Sequence, residues 1–92
     1  MQAIHKIVIE ITDNQVVTID NLFQVISCQI QSDKLCVWYV VDNHDGRKQD
    51  LNFQVIGTGN PCKLELGNIH LATVQQNQFV WHVFYNFVIT PK

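Results

Sequence analysis

Ninety-two residues suffice for one domain, residues 1–92, with a single modest core. The chain is 47% hydrophobic but only 15% charged, against about a quarter charged in a typical globular chain, so Gln and Asn carry much of its solubility and its surface favours self-association. A formal charge of −2 with six scattered Lys and Arg argues against a nucleic-acid duplex or an anionic membrane as partner, because both need a basic stripe; a small anion needs only one or two cations.

The opening segment, Ala3 to Ile11, has a strand pattern with apolar Ile7, Ile9 and Ile11 and with Lys6 and Glu10 on the other side, and it stops at Thr12-Asp13-Asn14. Gln15 to Ile19 is a short second strand. After Asp20-Asn21, Phe23 to Gln31 alternates Ile26, Cys28 and Ile30 with Ser27, Gln29 and Gln31, a half-buried strand with a wet outer face. Ser32-Asp33-Lys34 turns the chain into Leu35 to Val41, which is apolar on both faces and therefore central. Asp42 to Lys48 ends it, and Asp45-Gly46 reads as a hairpin returning along Leu51 to Ile56. Cys62 to Asn68 is the least regular stretch and the expected long loop. Ile69 to Gln75 is a strand, Gln76-Asn77-Gln78 a turn, and Phe79 to Val88 a last strand. There Phe79, Trp81, Val83, Tyr85 and Phe87 share one face, and Val80, His82, Phe84, Asn86 and Val88 the other. Six or seven such strands, without helical periodicity, repeat or linker, imply an all-β fold: a small antiparallel β-sandwich or partly open barrel.

Catalytic constellations are not evident. His5, His44, His70 and His82 lack metal-ligand spacing, so no metal site is expected. Glu10 and Glu65 form no carboxylate pair on one face, and neither Ser27 nor Ser32 sits in a nucleophile elbow. Cys28, Cys36 and Cys62 are odd in number without a C-x-x-C spacing, which reads as reduced thiols in a cytoplasmic setting. The start has no basic and apolar leader, and no apolar run approaches a membrane span. The expectation is a binding protein without cofactor rather than an enzyme, with the whole chain as the mature protein.

The stretch with most chemistry is Phe53 to Pro61, where an apolar alternation runs into Gly57-Thr58-Gly59-Asn60. Two glycines able to take φ > 0 let a ligand approach main-chain N–H groups, and Thr58 and Asn60 add side-chain donors and acceptors. The commoner reading of Gly-x-Gly before proline is a tight turn. Trp81 offers a stacking face or simply fills the core, and His82 is either a core imidazole or a ligand contact on the opposite face. Arg47, Lys48 and Lys63 are the nearby cations. The candidate ligand-binding set is Gly57, Thr58, Gly59, Asn60, Trp81, His82, Arg47 and Lys63.

Ile4-x-Lys6, Ile11-Thr12-Asp13-x-Gln15-x-Val17, Leu35-Cys36-Val37-Trp38 with Val41-Asp42, Val55-Ile56-Gly57-Thr58-Gly59-Asn60-Pro61, Thr73-Val74-Gln75 and Phe79-Val80-Trp81-His82-Val83-Phe84 together span nearly the whole chain. With these motifs the sequence resembles a family of small all-β proteins found mainly in bacteriophages, its most specific parts being Gly-Thr-Gly-x-Pro and Trp-His-Val-Phe. In size, setting and fold the family is similar to viral sponge proteins, which sequester the cyclic nucleotides of CBASS signalling or the cyclic ADP-ribose isomers of Thoeris signalling. The resemblance implies an immune-evasion sponge in the cytoplasm of the infected bacterium. Such a sponge holds, without cleaving, a cyclic dinucleotide such as 3'3'-cGAMP or a cyclic ADP-ribose isomer. Where this chain has Asn60 the relatives often have His, and where it has His5 they often have Trp, so base preference does not carry over. Low surface charge and the small volume of one protomer suggest a homodimer or higher homo-oligomer with a shared pocket. The competing reading is a protein-binding module that blocks a host protein or serves as a small virion component; a phosphodiesterase comes third.

Overall fold

A computed structural model of the chain describes residues 1–43 and 46–89. Among them seven strands run in sequence order: β1 (Gln2–Ile9), β2 (Gln15–Asp20), β3 (Leu22–Gln31), β4 (Lys34–Asp42), β5 (Lys48–Gly57), β6 (Ile69–Gln76) and β7 (Phe79–Phe87). They form two antiparallel sheets, sheet I in the order β1-β4-β3 and sheet II in the order β2-β5-β7-β6. The Cα envelope of 42 × 32 × 16 Å is as thin as two stacked sheets require at about 10 Å spacing. The architecture is thus an all-β sandwich, as the alternation implied, and not a closed barrel. No helix among the described residues is long and apolar enough to cross a membrane.

Of the three doubly flanked strands, β4, β5 and β7, the first two supply the centre of the core. Leu35, Val37, Tyr39 and Val41 point inward from β4, and Leu51, Phe53 and Val55 from β5, with Val83 and Tyr85 from β7 beside them. Alternation also places Cys36, Trp38 and Val40 on the outer side of β4, so its two-sided apolar character comes from an apolar outer face. The last strand divides as its pattern predicts: Val83 and Tyr85 are buried, His82 and Phe84 half-buried on the far side.

Two sequence expectations fail for physical reasons. The alternation over Phe23 to Gln31 assigned Ile26 to the buried face, yet Ile26 is exposed and Leu22, Val25 and Cys28 are buried. Register shifts between Leu22 and Gln24 and between Val25 and Ser27 insert an extra residue each time. Each bulge sets two residues against one partner, so period-2 counting slips by one. The hairpin expected at Asp45-Gly46 does not join paired strands, because β4 pairs only within sheet I and β5 within sheet II. The link instead carries the chain between layers; Asp45 itself, like His44, lies outside the described residues.

Side-chain amides hold the connections. Gln15 accepts from the Glu10 N–H at 2.9 Å and donates back to the Glu10 carbonyl, imitating a ladder pair across the β1–β2 turn. The Thr12 carbonyl then accepts from Val55 N at 3.1 Å, fastening that turn to β5. At the same end of the sandwich Gln76 donates to the carbonyl and carboxylate of Asp33 at 3.0 and 2.9 Å and accepts from Trp81 Nε1 at 3.1 Å, linking the β3–β4 turn to β6 and β7.

Ser32 and Asp33, at φ 51° and 62°, make the two-residue β3–β4 turn, a geometry that favours Asn at its first position. Ser32→Asn is expected to raise stability by about 0.5–1 kcal/mol, a few degrees in Tm, while leaving the Asp33–Gln76 link intact; an unchanged or lower melting temperature would contradict it. Burial, reinforced by the neighbouring Cys36, pushes the Cys28 thiol up to about 12, and burial raises the Tyr39 and Tyr85 hydroxyls above their usual value. In alkali the unfolded chain gives up these protons before the native one, so it binds fewer and native stability falls with pH. Urea midpoints should hold steady up to about pH 9 and decline from there toward pH 12, more shallowly at the start in Cys28→Ala.

Candidate functional site

The β5 strand ends in the Gly57–Asn60 turn, at one end of sheet II. Asn60 N donates to the Gly57 carbonyl at 3.1 Å, Gly59 has φ 88°, and Thr58 N donates to Val80 O at 3.2 Å. This is a hydrogen-bonded turn with glycine where a type II geometry requires it, and two of its N–H groups already have partners inside the protein. The glycines therefore differ in role. Gly59 is needed for its positive φ, and space beside it is open. Gly57 does not take the positive φ that the sequence allowed; it ends a strand, and a Cβ there would stand 2.8 Å from Asn60 Nδ2 and 3.0 Å from Trp81 Cζ3. Its missing side chain is the space the indole occupies.

Trp81 and His82 lie on opposite faces of β7. The Trp81 ring packs against the core and stacks on Phe79 with centroids 5.5 Å apart, meeting the turn from beneath through Gly57. His82 stands on the outer face within reach of the turn's hydroxyl: Thr58 Oγ1 is 2.7 Å from His82 Nε2. His82 Nδ1 is 3.1 Å from Thr73 Oγ1, which is 3.0 Å from His70 Nε2. These four side chains run as one hydrogen-bonded chain across β5, β7 and β6, made possible by the register that sets His82 beside Ile56 and Thr73. With both imidazoles neutral the protons can all point toward His70 or all point toward Thr58. In the second arrangement His82 donates to Thr58, leaving its hydroxyl proton free for a ligand; in the first, an oxygen lone pair at Thr58 remains available.

Beside this polar line is a cleft of about 250 Å³. Its walls are mainly carbon, from Ile56, Leu64 and Phe84, with Thr58, His82 and Asn60 at the margin. The far side of the same loop borders a second cleft, of about 370 Å³, of mixed lining: Asp13, Asn14, Gln54, Lys63 and Glu65 beside Ile56, Pro61 and Cys62. Ile56 and Cys62 contribute to both. What holds the loop in this position is Gln54 on the outer face of β5, nearly buried; it donates to Lys63 O at 3.4 Å and accepts from Asn68 Nδ2 at 3.1 Å.

The structure thus brings Gly57, Thr58, Gly59, Asn60 and His82 together, with Lys63 in the neighbouring cleft. It does not bring Arg47, which precedes β5 at the opposite end of that ten-residue strand, on the order of 30 Å away at about 3.3 Å per residue; the Arg47 carbonyl there accepts from Asn21 N at 2.6 Å. Arg47 and the adjacent Lys48 are accordingly removed from the site. Sequence reasoning had assigned Phe84 to the His82 face without giving it a part in the site. Thr73 and His70 became visible only with the β6–β7 register, which includes a shift between His70 and Ala72. Among the described residues no three His, Cys, Asp or Glu side chains gather as metal ligands, and the one exposed thiol is Cys62.

These features define a small two-sheet β-sandwich with a loop-built cleft on one outer face. Residues 1–89 match the model of a domain of unknown function, DUF7352, and the chain belongs to that family. No curated protein and no solved structure matched the chain.

The differing glycine roles give a direct test. Gly57→Ala should lower stability by about 1–3 kcal/mol and shift tryptophan emission, since the indole must move. Gly59→Ala, strained only in its backbone, should cost about 1 kcal/mol and leave emission unchanged. Equal spectra for the two variants would contradict this assignment.

Proposed function

We propose that the protein binds and sequesters, without cleaving, a small nucleotide-derived signal at the loop 57–64, acting as a sponge in the cytoplasm of a phage-infected bacterium. The observation that carries this reading is the carbon-walled cleft beside Phe84 with its single polar margin at Thr58 and His82. Such a site takes a flat heterocycle: the ring packs against Phe84 and Leu64, and its edge meets a hydroxyl able to donate or accept. At about 250 Å³ it holds one base rather than a whole dinucleotide, since complete ligand pockets run from about 300 Å³ upward. A ligand of two rings straddles the loop, its second ring entering the larger, mixed cleft and its phosphates turning toward Lys63 and Asn60. Sequestration needs no nucleophile or general base, only affinity above that of the host receptor, and the resemblance to phage sponge proteins points the same way.

Incubating the protein with a panel of cyclic dinucleotides and cyclic ADP-ribose isomers, filtering, and heating the retained fraction tests the proposal. One nucleotide should vanish from the filtrate and return intact on heating. Folded Phe84→Ala and Lys63→Ala proteins should each bind it about tenfold or more weakly, and Arg47→Ala should bind it as the parent does. Return of a cleaved product would make the protein an enzyme, and a panel left undepleted would favour the protein-binding reading.

A further inference from the structure

Among the described residues nothing covers the outer face of sheet I as the loop covers sheet II, and the composition of that face is unusual for a solvent-facing sheet. Ile4 and Val8 of β1 are 63% and 52% exposed, and Phe23 and Ile26 of β3 59% and 41%. Trp38 and Val40 of β4 lie between them, half-buried. An antiparallel sheet with one wet face normally turns polar side chains outward. Here the two β3 bulges do the reverse: Phe23 and Gln24 together oppose Val40, and Ile26 and Ser27 together oppose Trp38, so each bulge adds an apolar residue to the outer side.

We propose that this face is the interface of a homodimer, two copies packing sheet I against sheet I about a two-fold axis. Three strands about 4.8 Å apart and eight residues long, at about 3.3 Å each, give a face of roughly 14 by 26 Å. In projection that is under half of the ~800 Å² per partner of a stable interface, so a stable occupant must cover the face entirely, rim included. A docked helix, about 10 Å across, leaves part of it wet. A second copy covers it, because two sheets of the same twist pack face to face at about −30°. The polar groups fit the same occupant. Lys6 is the charged side chain in the middle of the face, and its Nζ donates to Gln31 Oε1 at 2.8 Å; Lys34 and Asp42, of opposite charge, stand at the two ends of the outer side of β4. The remaining polar residues, Gln24, Ser27 and Gln29, both donate and accept, so a two-fold copy can satisfy each with its own kind.

Light scattering across a wide concentration range should give twice the chain mass. Ile4→Lys and Phe23→Lys, both at exposed positions, should weaken association at least about tenfold while far-UV circular dichroism stays unchanged. Val16→Lys, exposed on the outer side of sheet II, should leave the dimer intact. Independently of any lysine variant, Trp38 should become protected from acrylamide as concentration rises, read in a Trp81→Phe protein where it is the one remaining tryptophan. A monomer at every concentration, a dimer indifferent to both lysines, or a Trp38 equally quenched in monomer and dimer would each overturn the proposal.

Discussion

The inward packing of β4 and β5, each flanked by a partner on both sides, is the constraint on which the rest of the molecule depends. Phe53, Leu51, Val37 and Leu35 are almost wholly removed from water, and their alternation leaves no freedom in the assignment of the intervening residues. A one-residue slip would exchange every inner side chain for an outer one. With Leu51, Phe53 and Val55 inward, Gln54 and Ile56 must face out; with Val83 and Tyr85 inward, His82 and Phe84 must face out beside them. The candidate site is therefore a by-product of core registration: its side chains sit where the core does not want them.

The loop completes what the register begins. A carboxamide as enclosed as that of Gln54 costs free energy unless both its ends are bonded, and they are, to Lys63 O and to Asn68 Nδ2. Satisfying Gln54 thus draws residues 58–68 down across sheet II, and the loop so held leaves an apolar cleft on one flank and one of mixed lining, with charged groups, on the other. Closing the β5 end of that loop as a turn ties up the N–H groups of Thr58 and Asn60, which moves the chemistry away from main-chain anion binding and onto side chains: the Thr58 hydroxyl, the His82 imidazole and the Phe84 ring.

Alternation made most of this legible in the sequence. The two faces of Phe79 to Val88 follow from period 2 alone, as does the central position of Leu35 to Val41. Period counting fails where the chain stops being periodic, and so Ile26 was assigned to the core when the β3 bulges place Val25 there. Local turn chemistry says nothing about which strands pair, so the Asp45-Gly46 signal carried no information that β4 and β5 belong to different layers. Arg47 adjoined the site in sequence reasoning because both flank one strand; a ten-residue strand separates its ends by most of the length of the domain. Thr73 and His70 were out of reach for the opposite reason, being close in space only through pairing across strands.

The separation of the two outer faces bears on how the proposed activities combine. The loop clefts lie on sheet II, and the exposed apolar patch lies on sheet I. A dimer built on sheet I stacks four layers with the large sheets outermost, so both clefts look away from the axis and neither protomer lends a residue to the other's site. This differs from the shared two-fold pocket that the small size of one chain suggested. Each chain must then enclose its ligand alone, with the two clefts beside residues 60–63 supplying the volume that a symmetric pocket would otherwise provide. In such a dimer association would cover Phe23, Ile26, Ile4 and Val8, which a protein of low surface charge cannot leave in water without a tendency to aggregate, and one ligand per chain is the stoichiometry that this arrangement would entail.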